Sequence, residues 1–242
     1  DHNTAMGYYA LQQNTTGTQN TAFGASALDA TTTSSNNTAV GYAAMTDANG
    51  AVDSVAVGSE ALANVTTGDY NVGVGFQALK TITTSGNCVA VGYQALENNT
   101  AGNNTAVGSN ALTASTTGQG NTSVGKSSLQ ANTTGATNVA VGFNAMEQNT
   151  TGSNNTACGD GALNANTTSS ESVAVGRQAL VLSTGEQNTA VGTNALDECT
   201  TGTQNTAVGR QALDGVTTGS NNTGIGRNAG YEITTGNHNI II

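Results

Sequence analysis

A glycine returns fourteen times along this chain, at Gly7, Gly24, Gly41, Gly58, Gly75, Gly92, Gly108, Gly125, Gly142, Gly159, Gly176, Gly192, Gly209 and Gly226, in steps of 17 residues shortened twice to 16. A period this short leaves no room for an independent globular unit. Each copy is instead one coil of a parallel β-solenoid, which buries its apolar side chains only when neighbouring coils stack on it. The pattern predicts one continuous all-β array over residues 1–242, about fourteen coils plus the start of a fifteenth, forming a module of a longer fibre. Function in such a chain belongs to columns of equivalent residues, since no single pocket is written into the sequence.

A typical copy runs Asn205-Thr206-Ala207-Val208-Gly209-Arg210-Gln211-Ala212-Leu213-Asp214-Gly215-Val216-Thr217-Thr218-Gly219-Ser220-Asn221, and these residues define positions 1 to 17. Two short strands and a Thr-Thr-Gly corner are expected in each coil. In the first strand, positions 2 and 4 share one face and positions 3 and 5 the other. Position 4 is an apolar residue and position 9 a Leu or Met in thirteen copies, so these two are expected to fill the coil. Position 3 is only ever Ala, Gly or Ser, and position 5 is always Gly. Such restriction predicts a second backbone packed against that face, with Ala39, Gly41, Gly58, Ala140, Gly142, Ala207 and Gly209 lining the axis of an assembly. Position 1 is Asn in eleven copies, Asn37, Asn138 and Asn205 among them, and is expected to stack as an internal amide ladder at a bend. The Asn-x-Thr matches at Asn14, Asn132, Asn149 and Asn166 follow from the same repeat grammar, and glycosylation is the weaker reading of them.

Composition narrows the function classes. With 5 Lys and Arg against 15 Asp and Glu, a net charge of -10 leaves too few cations to neutralise a run of phosphates, so nucleic acid is not an expected partner. No apolar run approaches the roughly 20 residues that cross a bilayer, so membrane insertion is not expected. His2 and His238 stand at opposite ends, and no constellation of nucleophile, base and orienting group is visible, so the chain is not expected to be an enzyme. Cys88, Cys158 and Cys199 occupy three different repeat positions, which fits neither a metal site nor a disulfide framework. No cofactor is expected. The acids of position 10, Asp29, Glu97, Glu147, Asp197 and Asp214, are expected to be a solvated face.

The motif Asn-Thr-Ala-Val-Gly-x-x-Ala-Leu resembles the Ser-Val-Ala-Ile-Gly repeat in the heads of trimeric autotransporter adhesins, and near-identical arrays in bacterial surface and phage tail-fibre proteins. The likeness covers essentially the whole chain. It implies a left-handed parallel β-roll, three chains around one axis, and a location outside a cell, on its surface or on a virion. The expectation is thus a structural segment of an extracellular fibre, self-associating as a homotrimer or end to end as a filament, with a surface for attachment to a host.

Position 6 is the variable column beside the invariant Gly. It carries Tyr8, Tyr42, Phe76, Tyr93 and Phe143, then Lys126, Arg177, Arg210 and Arg227, and is the expected contact surface for a cell-surface glycan or protein receptor. The alternative reading is an ice-binding β-solenoid that uses Thr and Asn ladders, although adjacent Thr residues at a corner would diverge rather than form a flat rank.

Overall fold

The computed structural model describes residues 2–242 and is all-β. Chain contacts gather into two units, Asp1–Gly120 and Asn121–Ile242, each a parallel β-solenoid. The first holds β1 (Thr4–Met6), β2 (Thr21–Phe23), β3 (Thr38–Val40), β4 (Val55–Val57), β5 (Val72–Val74), β6 (Val89–Val91) and β7 (Thr105–Val107). The second holds β8 (Thr122–Val124), β9 (Val139–Val141), β10 (Thr156–Cys158), β11 (Val173–Val175), β12 (Thr189–Val191), β13 (Thr206–Val208), β14 (Thr223–Ile225) and β15 (Ile240–Ile241). Consecutive strands of a unit pair in parallel with like positions opposite, as in Thr38↔Val55, Ala39↔Ala56 and Val40↔Val57. The 16-residue coils keep the same register, because the missing residue falls at a corner.

Among the described residues each coil has one strand, not two. The Ala-Leu segment runs instead through overlapping tight turns, in which the position 8 amide bonds the position 5 carbonyl and, in some coils, the position 10 amide bonds that of position 7, as in Ala78 N–H to Gly75 O at 3.3 Å and Lys80 N–H to Gln77 O at 3.3 Å. These turns place positions 7 and 9 at positive φ, for example Gln77 at 55° and Leu79 at 53°. A left-handed Leu in nearly every coil is costly by about 1 to 2 kcal/mol. Burial offsets it, since Leu28, Leu62, Leu79, Leu96 and their equivalents are fully enclosed, and a buried Leu contributes about 1.5–3 kcal/mol. Between the turns the chain bonds coil to coil, as in Leu62 N–H to Ala78 O at 3.0 Å and Gln94 N–H to Phe76 O at 2.9 Å.

The strand faces are the reverse of the sequence expectation. Position 3 points into the coil of its own chain: Ala39, Ala56, Ala140 and Ala207 are fully buried. Position 4 points out. The reason is the thinness of the coil. A Cβ placed on Gly73 would already lie 3.2 Å from Leu62 Cγ of the preceding coil and 3.2 Å from the Ala78 carbonyl, so nothing larger than Ala fits opposite the Leu column. One exception in the column proves the constraint: Ser123 bonds the Ser128 carbonyl at 2.9 Å and pairs with the Ser128 hydroxyl, so the only Ser at position 3 and the only Ser at position 8 satisfy each other. The invariant Gly is likewise set by the chain's own stacking, because the next coil's Gly carbonyl occupies the space of a Cβ, 2.5 Å from it at Gly41, Gly58 and Gly209. Position 3 therefore does not line an axis between chains, and the Gly of position 5 is accounted for by the chain's own stacking.

Candidate functional surface

The corners hold two internal amide ladders. At position 1, Asn138 Oδ1 accepts from the Asn155 amide at 2.9 Å and Asn138 Nδ2 donates to the Gly152 carbonyl at 2.8 Å. Asn37 and Asn205 are buried with the same pattern, through Ala51 O at 2.8 Å and Gly219 O at 2.8 Å. The coil-to-coil link is thus mainly side chain to backbone. A second ladder stands at position 12, where Asn149 Nδ2 donates to Asn132 Oδ1 at 2.8 Å and Asn166 Nδ2 to Asn149 Oδ1 at 2.8 Å. Sequence reasoning treated these residues only as glycosylation matches. Their fully buried amides at Asn132 and Asn149 are closed to that chemistry in the folded chain, and the replacement of Asn by Val65, Ile82 and Val216 in the same column was the available signal of burial.

Positions 2 and 4 form the outward face of the strands. Position 2 is Thr or Val and position 4 is Met, Phe, Val, Cys or Ile, without a charge in any copy. Val91, Val141, Val175 and Val208 are 36 to 38% exposed, and Met6, Phe23 and Ile225 more so. Cys158 stands in this column and is the exposed thiol; Cys88 and Cys199 are buried. Burial pushes the Cys88 thiol pKa up, and that of Cys199 to about 11.

Position 6 begins where the chain leaves the strand, and its aromatic members Tyr8, Tyr42, Phe76, Tyr93 and Phe143 are all exposed. Phe76 and Tyr93, in successive coils, stack with centroids 5.5 Å apart and planes 17° from parallel. Beside them Gln94 donates to Gln77 at 3.1 Å and Gln77 to Glu60 at 2.9 Å, while Lys80 pairs with Glu60 at 2.6 Å. That Lys and Gln77 hold the Glu60 carboxyl below its ordinary pKa. In the second unit Lys126, Arg177, Arg210 and Arg227 are exposed in the same column.

The position 10 acids are not uniformly solvated. Asp214 is only 7% exposed and its Oδ1 has no partner. Burial first, then the Asp197 carboxyl of the preceding coil and the charge of Glu198, raise its pKa to about 7, against a smaller opposing hydrogen bond from Gln211. An unfolded Asp releases its proton near pH 4. Between that pH and about 7 the folded chain holds a proton the unfolded chain has lost, so stability falls as pH rises through this window. Asp214→Asn is expected to remove most of that fall and to raise the thermal midpoint at pH 8 by several degrees. An unchanged midpoint-against-pH curve in the variant would contradict the assignment.

Among the described residues no group of three or more His, Cys, Asp or Glu is arranged to hold a metal ion. No family model, curated protein or solved structure matches this chain.

Proposed function

We propose that the chain is a structural segment of an extracellular fibre on a cell surface or virion, a stalk carrying an attachment surface along its flank, without enzymatic activity. Copies associate as a homotrimer of left-handed coils through the outward faces of positions 2 and 4, and the same modules extend end to end. The supporting observation is the uncharged, partly exposed column of Val residues, which a lone chain leaves in water; apolar surface of this kind marks contact with another macromolecule. Motif likeness to adhesin heads and tail fibres supports the chain number, handedness and location.

Cys158 reports directly on this association. In a parallel trimer the three copies of Cys158 meet at one level, so a short bismaleimide is expected to link two of every three chains and leave the third unlinked. Val141→Asp together with Val175→Asp, above and below it in the column, is expected to abolish the product. A monomer in light scattering at micromolar concentration, with no cross-link, would overturn the trimer.

The ice-binding reading gains one observation. The first Thr of each corner pair has its hydroxyl engaged along the stack, as in Thr150 Oγ1 to Thr167 O at 2.9 Å and Thr217 Oγ1 to Thr234 O at 3.2 Å, so an ice-ordering rank would use another column, such as the Thr residues of position 2. A monomer that shapes ice crystals and loses this with Thr206→Lys would favour that reading over the fibre.

A further inference from the structure

The chain has 5 cations, and four of them, Lys126, Arg177, Arg210 and Arg227, occupy position 6 of the second unit. A solvated surface that accumulates residues without selection would scatter them over many positions. Arg210 and Arg227 stand in adjacent coils, joined by the Asn228 amide to the Arg210 carbonyl at 3.0 Å, so their stems start about 4.8 Å apart. Like charges placed directly opposite on paired strands destabilise them. No carboxylate relieves this pair: among the described residues the ion pairs are Lys80 with Glu60 and Arg177 with Asp160 at 3.8 Å. The columns on either side carry no acid in this unit, because position 4 is apolar and position 7 is Ser127, Asn144, Gly161, Gln178, Asn194, Gln211 and Asn228.

We propose that this column is a binding stripe for an acidic polysaccharide, centred on Arg210 and Arg227, which deepens and rests on the attachment role proposed above. Two guanidinium groups one coil apart present forked donors to a carboxylate or sulfate. Lower in the column Phe143 offers an exposed ring to a pyranose face, with Lys126 Nζ 5.8 Å from its centroid. A sugar residue in an extended glycan advances by nearly the step of one coil, so successive sugars can track successive coils. The column reads Lys126, Phe143, Asp160, Arg177, Thr193, Arg210 and Arg227; Asp160 is offset by its ion pair with Arg177, so the uncompensated positive charge is concentrated at Arg210 and Arg227. Five cations in the whole chain are too few to neutralise the run of phosphates that a nucleic acid presents.

The test uses the full chain, with polygalacturonate and heparin as acidic probes, dextran as the neutral one and single-stranded DNA as the competing polyanion. Calorimetry at low salt is expected to show binding to at least one acidic glycan, weakened tenfold or more by Arg210→Ala with Arg227→Ala. Lys80→Ala, which removes the cation outside the column, is expected to leave binding unchanged. Circular dichroism and Cys158 cross-linking of the double variant check that fold and assembly persist. Absence of glycan binding, equal loss with Lys80→Ala, or equal or tighter DNA binding with the same Arg dependence would overturn the stripe. A cross-linked trimer that binds no acidic glycan would refute the stripe and leave the fibre reading standing, whereas a monomer in light scattering with no cross-link refutes the trimer on which the fibre reading rests.

Discussion

Replacing Gly209 with Ala is expected to destabilise the second unit by about 3 kcal/mol or more, while Gly161→Ala, at position 7 of an interior coil, is expected to be costly by only about 1 to 2 kcal/mol. Both residues sit at positive φ, 134° and 62°, where an L side chain is strained. They differ in what lies above them. A Cβ on Gly209 would be 2.5 Å from the Gly226 carbonyl oxygen and 2.6 Å from its carbon, backbone atoms fixed by the ladder and unable to retreat without breaking it. A Cβ on Gly161 would meet only Gln178 Cγ, at 3.7 Å. Denaturant titration of the two variants against the parent separates strain from collision. Equal midpoints would mean that φ alone selects the glycine, and that the close stacking of carbonyl on glycine does not.

The repeat made the coil number, the corners and the enclosed Leu column legible, because a fixed period forces every copy to obey one geometry. It could not reveal which strand face is inside. Alternation at positions 2 to 5 specifies that neighbours oppose each other and leaves the sign open. Side-chain size then misleads: Val is more apolar than Ala, yet only Ala, Gly and, once, Ser stand across a coil whose far wall is Leu. The small-residue column thus records a thin interior, and the Val column records the surface on which contact between chains is proposed. The missing second strand has a related cause. Hydrophobicity places Ala212 and Leu213 inside, as they are, but nothing in a Leu announces the positive φ that Leu213 adopts at 51°. Only the turn hydrogen bonds make that conformation visible. Among the surface columns, the exposure of position 6 followed from its variation, while the raised pKa of Asp214 depends on burial and on the Asp197 carboxyl in the coil before it, a vertical contact that single-copy reasoning overlooks.

The two amide ladders predict an uneven response to one and the same substitution. Asn205→Ala removes the acceptor of the Asn222 amide, bonded at 2.9 Å, and the donor to the Gly219 carbonyl, bonded at 2.8 Å. Position 12 of this coil is Val216, which has no side-chain donor to take over. Two buried backbone groups are left without partners, at about 1 to 3 kcal/mol each, so the expected loss is about 2 to 6 kcal/mol. Asn138→Ala should be milder, about 1 to 3 kcal/mol. There the Gly152 carbonyl keeps its second donor, Asn149 Nδ2 at 3.0 Å, and only the Asn155 amide is stranded. Asn205→Ser should fall below Asn205→Ala, because Ser54 and Ser172 already stand at position 1 and accept from the next coil's amide at 3.0 and 3.2 Å. Urea midpoints in the order parent, Asn138→Ala, Asn205→Ala are the expected result. A reversed order, or equal losses at the two sites, would show that the second ladder gives the first no support and that each Asn column acts alone.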